Sequence, residues 1–253
     1  MEIYFSLNGK TFRSDIRSPK LISIPLVFNE QGPNCFYAPW PEATAVRAGD
    51  FIGSIEEGGL LNFKNIRLNP HGNGTHTECQ SHIYPGTLTI SDCLQQNLFS
   101  SRLISVFPTL MENGDKCILT ESLFLPEKAD ADALIIRTLP NENDKLQRNY
   151  SGSNPPYLSQ AAAQAIAECG YQHLLIDLPS VDRENDGGAL SAHKAFWYEK
   201  NILPSKKTIS ELIFVPNEIK DGVYLLSIQI AHLQLDASPS RIALYDMIEE
   251  FSI

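Results

Sequence analysis

The segments 133-ALIIRT-138, 159-SQAAAQAIAECG-170 and 173-HLLIDL-178 follow one another in the middle of the chain. The first and third are continuous runs rich in Ile and Leu, of the length of an interior strand. Between them, Ser159 stands where a helix N-cap accepts from the first turn, the alanines favour helix, and Gly170 is placed to end it. Two buried strands joined through a helix read as a β-loop-α-β unit with parallel pairing. The polar connection from about Pro140 to Pro156 is long for a compact domain, which marks it as a functional loop.

On either side the pattern is less regular. Upstream, 21-LISIPLVF-28, 51-FIGSI-55 and 102-RLISVF-107 are short strand candidates bounded by Gly, Pro and Asn. Downstream, the spacing predicts a helix from about Ser191 to Lys200, strands near 211-ELIFV-215 and 222-GVYLLSIQIAHL-233, and a short C-terminal helix. The expected fold class is α/β, a single domain over residues 1–253 with a mixed β-sheet.

The chain has 253 residues, with 20 Lys+Arg against 30 Asp+Glu and a net charge of −10. An acidic protein of this kind offers no basic stripe, so nucleic acid is excluded as a partner. No run of eighteen apolar residues occurs and the N-terminus lacks a basic start followed by an apolar stretch, so neither a membrane span nor a secretory leader is expected. The five cysteines are odd in number, with no Cys-x-x-Cys pair. Free thiols in a reducing compartment follow, and a cytoplasmic location is the expectation.

Chemistry concentrates in 71-HGNGTHTECQSH-82, which holds three of the six histidines and Glu78. Imidazole and carboxylate together are ligands for zinc or another divalent first-row ion. The spacing is not that of the helical metalloprotease motif. In an extended segment residues two apart share a face, so His76, Glu78 and His82 would point one way. His71 has the opposite parity, and the glycines at 72 and 74 allow a turn that swings it back. Cys79 faces away, as a small buried hydrophobe.

Two further candidates lie downstream. His193 opens the expected helix at 191, and Glu211 sits among apolar neighbours, where a buried carboxylate needs a cation, a hydrogen-bond donor or a metal. The run 182-DRENDG-187 fails as a calcium loop, since its twelfth position is His193 instead of a bidentate Glu. No phosphate-cradling glycine loop and no Gly-x-Ser-x-Gly turn is present. The aromatic stretch 36-FYAPW-40 offers an apolar wall for a substrate, with Trp40 the best candidate, or an ordinary core contact. Trp197 reads as core.

The segment 74-GTHTECQSH-82 resembles the His-x-Gly-Thr-His-x-Asp-x-Pro-x-His signature of the cyclase family, which includes bacterial kynurenine formamidases. The resemblance continues in order through 177-DLPSVDRENDGG-188, His193, Glu211 and 236-DASPSRI-242. It implies a swivelling β/β/α fold and one or two divalent ions, Zn or Mn. The implied ligands are His71, His76, Glu78, His193 and Glu211, with His82 as general acid/base. It implies a homodimer or homotetramer that hydrolyses a small-molecule amide, cyclic amide or lactone, with arylformamidase chemistry and tryptophan catabolism as its setting. The other reading is a non-catalytic metal- or ligand-binding relative. Three positions depart from the signature: Gly72 stands where the first histidine belongs, Glu78 replaces Asp, and Gln80 replaces Pro.

Overall fold

The computed structural model describes residues 1–86, 88–198 and 205–250. Seven strands close on themselves: β1 His76–Cys79, β2 Leu98–Val106, β3 Ala133–Thr138, β4 His173–Ile176, β5 Thr208–Glu211, β6 Gly222–Ile230 and β7 Ala237–Asp246. Their order around the barrel is β6-β2-β3-β4-β5-β1-β7, and β7 pairs again with β6. The pairs β2–β3, β3–β4 and β4–β5 are parallel and the remaining ones antiparallel, so the sheet is mixed. Closure removes the free edges that an open sheet would present.

The central unit forms as its sequence indicates. All six residues of β3 are buried. Leu134 and Ile136 pack against helix α1 (Gln160–Cys169), through Ala162 and Ile166, and against α2 (Ser191–Trp197), through Phe196 and Trp197. Ala133 and Ile135 face the other way, into the barrel, with Leu103, Leu175, Leu226 and Ile242. A period of two thus splits one apolar run between two cores. Ser159 Oγ accepts from Ala162 N at 3.1 Å, and Gly170 ends α1 in the left-handed region at φ 102°.

Elsewhere tertiary pairing overrides local pattern. The expected C-terminal helix is strand: β7 is followed by a further short strand, Ile248–Glu250. Along β7, Ile242 and Leu244 enter the barrel while Ala243 and Tyr245 pack toward Ile3 and Phe5 of the N-terminal hairpin, so alternating burial decides. The strand expected at 211–215 lies earlier, because Leu212 takes φ 52° and ends the β5 ladder. Of 21–28 only Leu21, with Lys20 before it, forms a strand, beside β7, and Ser23 makes an isolated bridge to Ile213. Helix α2 ends at Trp197; residues 199 and 200 of the expected helix lie outside the described residues. No helix among the described residues is long and apolar enough to cross a membrane.

The loop from 140 to 156 is fastened from within. Lys145, on the 3-10 turn Asn143–Leu146, is buried and donates to Asp177 Oδ2 at 2.8 Å, to Thr138 O at 2.8 Å and to Asn141 Oδ1 at 3.2 Å. Asp177 in turn accepts from Thr138 N at 2.9 Å. The pair ties the loop to the ends of β3 and β4. Removing one partner leaves the other charge buried and alone. Lys145→Met is therefore expected to cost about 3–5 kcal/mol in urea unfolding; a loss below about 1 kcal/mol would contradict this.

His173 opens β4 and is buried against Phe99, sharing a 2.8 Å hydrogen bond with Thr208 Oγ1. Burial pushes its pKa down to about 4. The unfolded value of about 6.5 is higher, so as pH falls the unfolded chain takes up the proton first. Its contribution is intact above pH ~6.5 and is lost between about 6.5 and 4, roughly 2 kcal/mol of it between pH 7 and pH 5. His173→Gln should lose correspondingly less stability over that interval, and equal losses in both proteins would refute the assignment.

Candidate metal centre

Asn69 caps a single helical turn, Pro70–Asn73, by accepting from Gly72 N at 3.1 Å. The turn carries His71. Gly72 packs beneath the 35–38 segment, where Cys35 N donates to its carbonyl at 3.0 Å. A Cβ on Gly72 would stand 2.3 Å from Ala38 Cβ and 3.2 Å from Cys35 O, so no side chain fits at that position. Trp40 is half-buried at the end of the same loop, next to Pro39, whose carbonyl accepts from Asn73 Nδ2 at 3.1 Å.

Strand β1 follows, with β5 on one side and β7 on the other. Its register sets His76 opposite Glu211 and Glu78 opposite Ile209, which brings the His76 and Glu211 side chains together across the strands. Thr77 faces away and shares a 2.8 Å hydrogen bond with Ser210 Oγ, and Cys79 is buried with Ile90 and Cys93. The parity expected from sequence holds for His76 and Glu78 and fails for His82. Residues Gln80–His82 form a 3-10 turn, and His82 reaches the centre by winding back, its Nε2 3.8 Å from Glu78 Oε2. Gln80 has its own task there: its Oε1 accepts from Ser205 N at 2.5 Å.

His193 enters from the first turn of α2. Asp182 places it, accepting from Ala192 N at 2.7 Å and His193 N at 3.2 Å, with its Oδ2 2.6 Å from His193 Nδ1. Glu211, at the end of β5, accepts from Val181 N at 2.7 Å through Oε1. Its Oε2 lies 3.5 Å from His76 Nε2.

Glu78 is the hub, at 0 % exposure. Its Oε1 lies 2.9 Å from His193 Nε2, while its Oε2 lies 3.0 Å from His71 Nδ1 and 4.0 Å from His76 Nε2. Each imidazole has its other ring nitrogen held by an acceptor. Those partners are Asp236 Oδ2 for His71 at 3.0 Å, Gly74 O for His76 at 3.0 Å, Asp236 Oδ2 for His82 at 3.2 Å and Asp182 for His193. This is how metal-ligating imidazoles are fixed in orientation. The inner atoms supply the test of fit. His76 Nε2 and Glu78 Oε2 are buried and make no well-directed hydrogen bond, although Glu78 Oε2 lies 3.0 Å from His71 Nδ1; a divalent ion would satisfy both. His71, His76 and Glu78 bring one ligand atom each within 4.8 Å of one another, as do Glu78, His82 and His193. The donor set fits a divalent first-row ion.

Without an ion, protons supply the balancing charge. Burial opposes a charge on His71, but Asp236 and Glu78 outweigh it and raise its pKa to about 10. Burial likewise opposes a charge on His193, and Asp182 and Glu78 raise it to about 10. Glu78 is held well below the usual carboxylate range in spite of its burial, chiefly by His193 and His71. A metal ion and these protons compete for the same nitrogens.

The structure therefore gathers His71, His76, Glu78, His82, His193 and Glu211 in one place. Sequence reasoning missed Asp182 and Asp236, whose only signals were the run rejected as a calcium loop and the opening of 236-DASPSRI-242.

The family model Cyclase, described as "Putative cyclase", matches residues 20–183. The chain belongs to the cyclase family. No curated protein matches it. Among solved structures it is similar to a "potential metal-dependent hydrolase with cyclase activity" (17% identity, TM-score 0.65, 90% of this chain and 98% of the other). It is also similar to a predicted metal-dependent hydrolase from Bacillus stearothermophilus (17% identity, TM-score 0.62, 90% and 98%). A third likeness is to isatin hydrolase A from Labrenzia aggregata bound to benzyl benzoate (14% identity, TM-score 0.63, 92% and 94%). These likenesses establish a shared fold, mixed α/β with a barrel-like sheet. The closed space at Gly72 leaves no room for a histidine there, and His71, one residue earlier, brings an imidazole to the centre. Gly72→Ala is expected to cost about 1–3 kcal/mol through overpacking, and Gly72→His, which restores the signature, more still. A Gly72→His protein as stable as wild type would contradict this packing.

Proposed function

We propose that the protein is a metal-dependent hydrolase of a small amide, cyclic amide or lactone, of the arylformamidase type. The observation that carries this reading is the pair of buried atoms that make no well-directed hydrogen bond, His76 Nε2 and Glu78 Oε2, inside a ring of oriented imidazoles. His76, Glu78 and His193, with His71 and Glu211, would hold Zn or Mn, one or two ions per chain. When bound, such an ion supplies a water acidified toward a pKa of about 7 and a Lewis acid for the carbonyl oxygen. The similarity to isatin hydrolase supports an aromatic cyclic amide within the substrate range, since isatin is one.

His82 is the most open of the four imidazoles, its side chain 30 % exposed. Its Nδ1 is held by Asp236, which leaves Nε2, 3.8 Å from Glu78 Oε2, facing the centre to take a proton from the attacking water and return it to the leaving nitrogen or oxygen. His71 and His193 have both nitrogens engaged by carboxylates, and His76 is fully buried. Self-association into a homodimer or homotetramer belongs to the same proposal. Exposed apolar side chains on the ribbon formed by Glu42–Ala45 and Lys64–Arg67 and its loop, including Leu60 at 98 % exposure, Phe63 and Ile66, support it.

Turnover of an N-formyl aryl amine and of an aromatic cyclic amide tests the reading. The zinc- or manganese-loaded protein should hydrolyse at least one, and His82→Ala should lower kcat by about 10²–10⁴ while the metal content stays unchanged. No turnover of either class by the loaded protein would leave a binding role in its place, and full turnover by His82→Ala would overturn the acid/base role given to His82.

A further inference from the structure

We propose that Asp236 is a positioning residue that holds His71 and His82 in the centre together, an inference that rests on reading the cage as a metal centre. A single carboxylate oxygen, Oδ2, lies 3.0 Å from His71 Nε2 and 3.2 Å from His82 Nδ1. The two rings stack with their centroids 4.2 Å apart and 28° between their planes, so one acceptor serves both from the same side. The other acceptors of the cage, Gly74 O and Asp182, each hold one ring.

The main chain of Asp236 grips the same segment. Its carbonyl accepts from Cys79 N at 3.0 Å, and Leu235 O accepts from Ile90 N at 2.8 Å. Asp236 therefore touches the 71–82 segment before β1, at the end of β1 and after it. This matters because His71 and His82 are the two site histidines that lie outside strands and outside α2. His71 sits on one helical turn and is partly exposed, and His82 sits on a 3-10 turn and is more exposed. Neither turn is long enough to fix a ring by packing alone. The shift of the first histidine from position 72 to 71 makes the need sharper, since the ring then approaches from a backbone position that the strand does not control. Asp236 supplies the missing constraint by aiming both His71 Nδ1 and His82 Nε2 toward Glu78.

Loss of an outer partner of a metal-ligating imidazole typically lowers metal affinity by about 10- to 100-fold. Zinc titration of the full chain, followed calorimetrically, should show a loss of that size in Asp236→Ala. Asp236→Asn keeps one acceptor oxygen, enough for one ring, and should fall between Ala and wild type. The visible spectrum of the Co(II)-loaded protein should shift in Asp236→Ala, a change that a merely structural role would not produce. Circular dichroism identifies a misfolded Ala variant, in which case the near-isosteric Asn variant decides alone. Wild-type zinc affinity and an unshifted cobalt spectrum in the folded variant would overturn the positioning role and leave the hydrolase reading standing. Failure of the wild-type protein to bind either zinc or manganese would overturn both.

Discussion

Glu78 is a carboxylate with no exposure to solvent, and a bare charge at that depth costs several kcal/mol. Everything around it answers that cost. Four imidazoles converge on its two oxygens, and carboxylates or a carbonyl hold the far side of each ring. The arrangement has more acceptors than its neutral histidines can satisfy. Protons on His71 and His193 balance part of the charge, yet neither Glu78 Oε2 nor His76 Nε2 makes a well-directed hydrogen bond. A buried centre with that deficit is built for a cation.

The barrel delivers these groups from distant parts of the chain. Strand β1 is short, but it lies between β5 and β7, and its register alone brings His76 to Glu211. The parallel series β2–β5 places the loop after β4 beside the end of β5, which lets Val181 reach Glu211 and Asp182 reach His193. Pairing of β7 with β1 then sets Asp236 beside His71 and His82. Each functional side chain thus stands at a strand end, in the turn next to it, or at the start of a helix, where the backbone is fixed by pairing and the side chain is free to point inward.

Much of this was legible in the sequence, for identifiable reasons. Ser159 and Gly170 marked α1 because caps are local chemistry. The apolar runs at 133 and 173 marked interior strands because both of their faces are buried. His76 and Glu78 shared a face because a strand has period two. The failures have one physical source, which is pairing between residues far apart. The segment 240-SRIALYDMIEE-250 carries no helix-breaking residue, yet most of it belongs to β7 because β6 is there to pair with it. Asp236 lies 165 residues from His71, so no spacing rule connects them. The turn at Gln80–His82 broke the parity of an otherwise extended segment, and His82 arrived at the expected site by an unexpected route.

The central claim is that Glu78 and His76 meet at a divalent cation. The most direct test is elemental analysis of the purified full chain after reconstitution with zinc or manganese, compared with Glu78→Gln and His76→Ala. Between one and two equivalents per chain in the wild-type protein, lost in both variants, is the expected result. No bound metal in the wild-type protein, or full occupancy in Glu78→Gln, would contradict the account.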